Sequence, residues 1–107
     1  MEMSNWEIAD KYTILKIKLE KGLDCEEQFR LFEKEIEHID KDLLKDLYEI
    51  NLEMWLHEEV LTMVIASEDY HRVGLLYASL RDLTNQRTAA KNRIAEKYDK
   101  FRELKKY

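Results

Sequence analysis

The stretch Val73-Gly-Leu-Leu-Tyr-Ala-Ser-Leu-Arg-Asp-Leu-Thr-Asn-Gln-Arg-Thr-Ala-Ala-Lys-Asn-Arg-Ile-Ala-Glu-Lys-Tyr-Asp-Lys-Phe101 carries the longest unbroken helical periodicity in the chain. Steps of three and four residues pick out Val73, Leu76, Leu80, Leu83, Arg87, Ala90, Ile94, Tyr98 and Phe101, one face of a helix of period 3.6. That face is apolar except at Arg87. A guanidinium on a core-facing stripe must find acceptors, because an unpaired buried charge is strongly destabilising. The stretch therefore predicts a long C-terminal helix with a polar site at its middle.

Working outward, 107 residues make a single domain, residues 1–107, with one modest core. There is no proline, glycine occurs only at Gly22 and Gly74, and 38% of residues are charged. This is the material of long helices with little turn chemistry, and it predicts an all-α antiparallel bundle of three to four helices. The formal charge of −5 argues against nucleic acid as the main partner, since that binding draws on a basic surface. Cys25 is the only cysteine, so no intrachain disulfide forms and a reducing compartment fits. The N-terminus lacks a basic region followed by an apolar run, and the longest apolar stretch, Leu61 to Ala66, is interrupted by Thr62. A soluble cytoplasmic protein without a membrane anchor is the expectation.

Ser4 and Glu7 form a capping box, so helix 1 starts there and runs to about Lys21, stopping at Gly22. Its apolar stripe is Ile8, Tyr12, Leu15 and Leu19, widened by Ile14 and Ile17, with Asp10 and Thr13 on the flank. Asp24 and Glu27 repeat the capping signal, and a second helix opening at Cys25 carries Phe29, Phe32, Ile36, Ile39 and Leu43. A break near Asp40 is expected. Helix 3 then presents Leu43, Leu47, Ile50, Met54, Leu61 and Val64 and ends around Ala66, and beside this face Asn51, Trp55 and Glu58 point one way from neighbouring turns. Ser67 is expected to cap the final helix, running from about Glu68 to Glu103. At 1.5 Å per residue it would be about 50 Å long and overhang helix 1. Helices 1 and 2 in succession could cover it, or a second copy could meet the overhang, with Tyr98, Phe101 and Leu104 as homo-oligomer contacts.

The most specific constellation lies on the last helix. Arg87 and Lys91 sit one turn apart, with Thr84 and Asn85 one turn before. A guanidinium fork beside an ammonium suits a carboxylate or phosphate. The opposing possibility is that Arg87 pairs internally with Glu58 or Asp10 and locks the register of the bundle. Metal chemistry has thin support. Glu35-x-x-His38 is half of a di-iron motif without its second half, and His57-Glu58-Glu59 lacks the second histidine of a zinc protease helix. No cofactor, metal or nucleophile motif is expected.

Three blocks together resemble a known pattern. Asp10-Lys-Tyr-Thr-Ile-Leu-Lys-Ile-Lys18 is similar to a D-K-x-T-I-L-x-I-K opening, Asn51-x-x-x-Trp55-x-x-Glu58 to an N-x-x-x-W-x-x-E middle, and Leu83-x-x-x-Arg87-x-x-x-Lys91-x-x-Ile94 to an L-N-D-x-R-x-x-x-K-x-x-I close. The pattern belongs to an uncharacterised family of small all-helical proteins of bacteria and phages, a domain of unknown function. The resemblance implies that Asp10, Lys11, Thr13, Lys18, Asn51, Trp55, Glu58, Arg87 and Lys91 form one shared constellation. The chain departs from it at Thr84-Asn85, where the pattern has Asn-Asp, which removes a carboxylate beside Arg87.

Three functions follow as expectations. The first is a non-enzymatic protein holding a small anion, a nucleotide or phosphorylated metabolite, on Arg87, Lys91 and Lys11 or Lys18. Trp55 or Tyr77 would lie against its flat part and Asn51 and Glu58 would read its polar edges. Sequestration of a signalling nucleotide would fit the resemblance. The second is a chorismate-mutase-like enzyme working by Arg and Lys electrostatics. The third is a helical adaptor in which Arg87 closes an internal salt bridge.

Overall fold

A computed structural model describes residues 3–99, and these form four α-helices in up-down-up-down order: α1 (Asn5–Glu20), α2 (Glu26–Glu35), α3 (Lys41–Ala66) and α4 (Tyr70–Ile94). A single π-helical turn, Ala95–Asp99, ends the described part of the last helix. The antiparallel all-α bundle with a long C-terminal helix is thus the architecture, and α3 is as long as α4. Of the residues placed on the oligomer face, Phe101 and Leu104 lie outside the described residues, as does the expected helix end at Glu103. Tyr98 is spent inside the chain: its hydroxyl accepts from the Asp40 N–H at 2.7 Å and its ring meets His38 edge-on.

Helix ends follow local chemistry. The Ser4 side chain accepts from the Glu7 N–H, and Gly22 takes φ +84° after α1, the left-handed conformation that costs glycine least. Helix α2 starts one residue later than the Asp24/Glu27 signal suggests. Cys25 occupies the cap position with no side-chain cap bond, and its thiol donates to the Leu15 carbonyl at 3.6 Å. The break at Asp40 is present and begins earlier, because α2 stops at Glu35 and Ile36 and Ile39 lie in the turn before Asp40 caps α3. Ser67 closes α3 instead of opening α4. Its hydroxyl donates back to the Val64 carbonyl, Glu68 turns the chain at φ +60°, and Asp69 caps α4 through the Arg72 N–H.

The stripe read on the last helix faces the core. Leu83, Ala90 and Ile94 are buried, and Val73, Leu76 and Leu80 are half-buried nearer the α3–α4 turn. Helix α1 is buried on two sides, which its single predicted stripe misses. Tyr12 stacks on Phe29 of α2, while the line Ala9, Thr13 and Ile17 is fully enclosed by the rest of the bundle. Ala9 and Thr13 are the small members of that line, and Ile17 is among the largest fully buried side chains. The central cluster is Ala9, Ile39, Leu44, Leu47, Ala90 and Ile94, with Trp6, Tyr12 and Tyr98 packed against it.

Contacts at its two ends orient α1. At its start, the Asp99 carboxylate accepts from the Asn5 N–H (2.8 Å), the Asn5 side-chain amide (2.9 Å) and the Trp6 N–H (3.1 Å). At its end, Lys21 reaches Glu59 of α3 at 3.2 Å. Helix α1 therefore runs parallel to α3 and finishes alongside Glu59. From there α3 runs on to the turn at residues 67–69, seven more residues or about 10 Å.

Candidate functional site

Asp10 of α1 is buried, at 8% exposure, and becomes the hub of a polar network across three helices. Arg87 of α4 grips it with both arms of the fork, Nε to Oδ1 at 3.2 Å and Nη2 to Oδ2 at 2.6 Å. Asn51 of α3 donates through Nδ2 to Asp10 Oδ1 (3.2 Å) and to Thr13 Oγ1 (2.8 Å), and the Thr13 hydroxyl donates to the Asp10 carbonyl at 2.8 Å. The circuit is closed. Among the described residues no buried side-chain nitrogen or oxygen lacks a partner. A bidentate, charge-assisted pair in a partly dry site fixes both the distance and the rotation of the helices that carry it. The partner of Arg87 is thus Asp10, one of the two carboxylates the sequence offered. Glu58, the other, is exposed.

The remaining residues of the expected constellation are dispersed. Asn51, Trp55 and Glu58 do not act together: Asn51 turns inward, while the Trp55 indole donates to Glu59 at 2.6 Å. Because Glu59 also holds Lys21, indole, carboxylate and ammonium form a latch at the end of α1. Thr84 and Asn85 are exposed, and the Thr84 hydroxyl is bonded to the Leu80 carbonyl of its own helix. Tyr77 is exposed and ten residues before Arg87, about 15 Å along the helix axis. Lys91 lies over the Trp6 ring, 4.5 Å from its centroid, a cation–π contact that offsets part of its desolvation. Lys11 and Lys18 leave the network altogether and flank a groove between α1 and α2. Glu35 ends α2 and His38 follows in the turn, where its ring shares a hydrogen bond with Asn5 Oδ1, so their three-residue spacing does not place them on one helix face.

No signal in the sequence marks Asp99. An acid at the end of a helix opposes the helix's own negative pole, and only the apposition of the positive start of α1 makes it favourable. Nothing in the one-dimensional pattern brings residues 5 and 99 together.

The displaced pKa values belong to surface latches. Asp40 is held below its ordinary value first by the Asp42 N–H that it caps and then by Lys97, whose own pKa is raised chiefly by its hydrogen bond to Asp40. Glu59 is lowered first by the Trp55 indole and then by Lys21. Tyr48 is pushed up to about 12, chiefly by donating its hydroxyl proton to the Glu20 carboxylate. Burial, then Glu33, raises Tyr12. These groups hold helix ends and pairs together, in contrast to two facing groups driven apart for proton transfer.

A second feature is the bare end of the α3–α4 hairpin. Val60–Ala66 and Val73–Leu80 contain no charged residue, and α1 ends level with Glu59 of α3, short of the turn that joins the two arms. Helical register puts Thr62 and Ile65 of α3 with Val73, Tyr77 and Leu80 of α4 on the side that α1 covers further down. The furrow occupied by α1 thus continues past its end. Among the described residues no helix is long and apolar enough to cross a membrane. No family model matches the chain, and no curated protein or solved structure matches it either.

Proposed function

We propose that this chain is a non-enzymatic helical adaptor: a bundle locked in register by the Asp10–Arg87 network that holds out the hairpin end to dock on the hairpin end of a second copy. The observation that carries this is the uncharged pair of arms and the apolar side chains exposed on them and at their turn. Ile65, Tyr70 and Tyr77 are 48%, 74% and 56% exposed, a concentration of apolar surface that an isolated helix pair leaves in water.

Charge supports a second copy as the occupant. Glu58 and Arg81 bound the uncharged arms at one end, Glu68 and Arg72 at the other, and none of the four makes an ion pair with another described residue. In an antiparallel two-fold arrangement the Arg72 of each copy meets Glu58 of the other, and Glu68 meets Arg81. At roughly 150–250 Å² per large side chain, the exposed parts of this face offer about 400 Å² per chain, below the ~800 Å² of a standard interface. A weak, concentration-dependent dimer follows. Sedimentation equilibrium tests it: wild type should show a monomer–dimer equilibrium that Ile65→Asp with Tyr77→Glu abolishes while helicity is retained. A monomer at about 1 mM chain, or a dimer indifferent to these substitutions, removes the proposal.

The competing reading is a small anion held by Arg87 and Lys91, and in its favour Lys91 has no carboxylate partner among the described residues. It requires Arg87 to give up Asp10 or to share its outer face. Calorimetry against a nucleotide panel separates the two, since the adaptor gives no heat, whereas an anion site gives heat that Lys91→Ala reduces.

A further inference from the structure

Among the described residues helix α2 packs on α1 and on no other helix, and the two leave between them a groove of about 540 Å³ lined by Lys11, Ile14, Leu15, Lys18, Gln28, Leu31 and Phe32. On α1 these residues are i, i+3, i+4 and i+7, a single helical face reading cation, apolar, apolar, cation. On α2 Gln28, Leu31 and Phe32 repeat the i, i+3, i+4 spacing, and Leu31 stands 59% exposed beside the groove. Two matched apolar strips side by side form the seat of a third helix. In a chain of net charge −5, neither Lys11 nor Lys18 makes a salt bridge with another described residue.

We infer that the α1–α2 groove is a second docking site, separate from the hairpin end, for an acidic amphipathic helix of another protein. The two ammonium groups select the occupant. Seven residues separate them, two helical turns or about 10.5 Å along α1. A helix lying along α1 matches that spacing with Asp or Glu seven residues apart, and places its own i+3 and i+4 apolar residues over Ile14, Leu15 and Leu31. A long-chain fatty acid has one carboxylate and satisfies only one of the two lysines, so paired cations favour the helix. The net negative charge repels acidic chains elsewhere on the surface, which makes this strip the attractive exception. The site does not depend on self-association through the hairpin end.

The test uses the full chain and a labelled synthetic helix with Glu at i and i+7 and Leu at i+3 and i+4, read by fluorescence anisotropy and by amide chemical-shift mapping. Binding should weaken with salt, shift amides of α1 and α2, and fall about tenfold or more in Lys11→Glu with Lys18→Glu. A peptide with Lys in place of both Glu residues should bind that charge-reversed variant better than it binds wild type, which rules out simple unfolding. Leu31→Asp, at an exposed position, should also lose binding. Equal binding of acidic and basic peptides, shifts confined to the hairpin end, no binding at about 1 mM, or saturation by laurate in preference to the peptide each overturns the inference.

Discussion

Removing either partner of the Asp10–Arg87 pair should cost far more than removing both. The side chains of Arg87 and Asp10 are 27% and 12% exposed, so the pair is mostly but not wholly withdrawn from water. Breaking a fully buried pair costs about 3–5 kcal/mol, and this exposure discounts the cost. Arg87→Met leaves the Asp10 carboxylate enclosed with only the Asn51 amide at 3.2 Å, and should destabilise by about 2–3 kcal/mol. Asp10→Ala should cost somewhat less, roughly 1.5–2.5 kcal/mol, because the longer guanidinium can swing toward solvent while Asn51 keeps Thr13. The double variant Asp10→Leu with Arg87→Met should fall within about 1 kcal/mol of wild type, since an apolar pair replaces a desolvated ionic one. The assay is equilibrium urea unfolding of the four cycle members, with Asp10→Leu as the aspartate single. At a slope near 1–2 kcal/mol per molar urea, Arg87→Met should move the midpoint down by about 1–3 M. A coupling below about 0.5 kcal/mol, or an Arg87→Met midpoint equal to wild type, would refute the claim that this network sets the register.

Asp99→Ala removes three acceptor contacts from the start of α1 and should cost about 1–2 kcal/mol, with faster amide exchange concentrated at Asn5 and Trp6. Exchange rising uniformly over the chain would instead show that Asp99 is not a local cap. Glu59 has a folded pKa below its ordinary 4.5, so its contribution is complete above pH 4.5 and is lost as pH falls through the lower folded value. In a Trp6→Phe background the emission of Trp55 should therefore titrate with a midpoint under 4.5, and Glu59→Gln should abolish that transition. Asp40 behaves with the same sign below 3.8, where amide exchange at the Asp42 N–H should quicken as the cap protonates.

Much of the architecture was legible in the order of residues because helix periodicity and end chemistry act locally. The stripe from Val73 to Tyr98, the stop at Gly22 and the break before Asp40 all rest on interactions within a few residues. Arg87 stood out for the same reason, being charged where its neighbours on the stripe are apolar. Local chemistry also misled. Ser67 and Asp69 are both competent caps, and the geometry of the turn, with Glu68 at φ +60°, gave the role to Asp69. What the tertiary structure alone decided is which charges meet. Asp10 and Glu58 were equal candidates for Arg87, and the packing of α1 brings Asp10 onto Arg87 while Glu58, two turns beyond Asn51, stays exposed. Asp99 meets the start of α1 for a similar reason, since ion pairs and caps between elements depend on helix rotation and on where each helix ends in space. Periodicity says which face of a helix must be covered, but the covering element, and the bare length left where α1 runs out, emerge only when the helices are laid side by side.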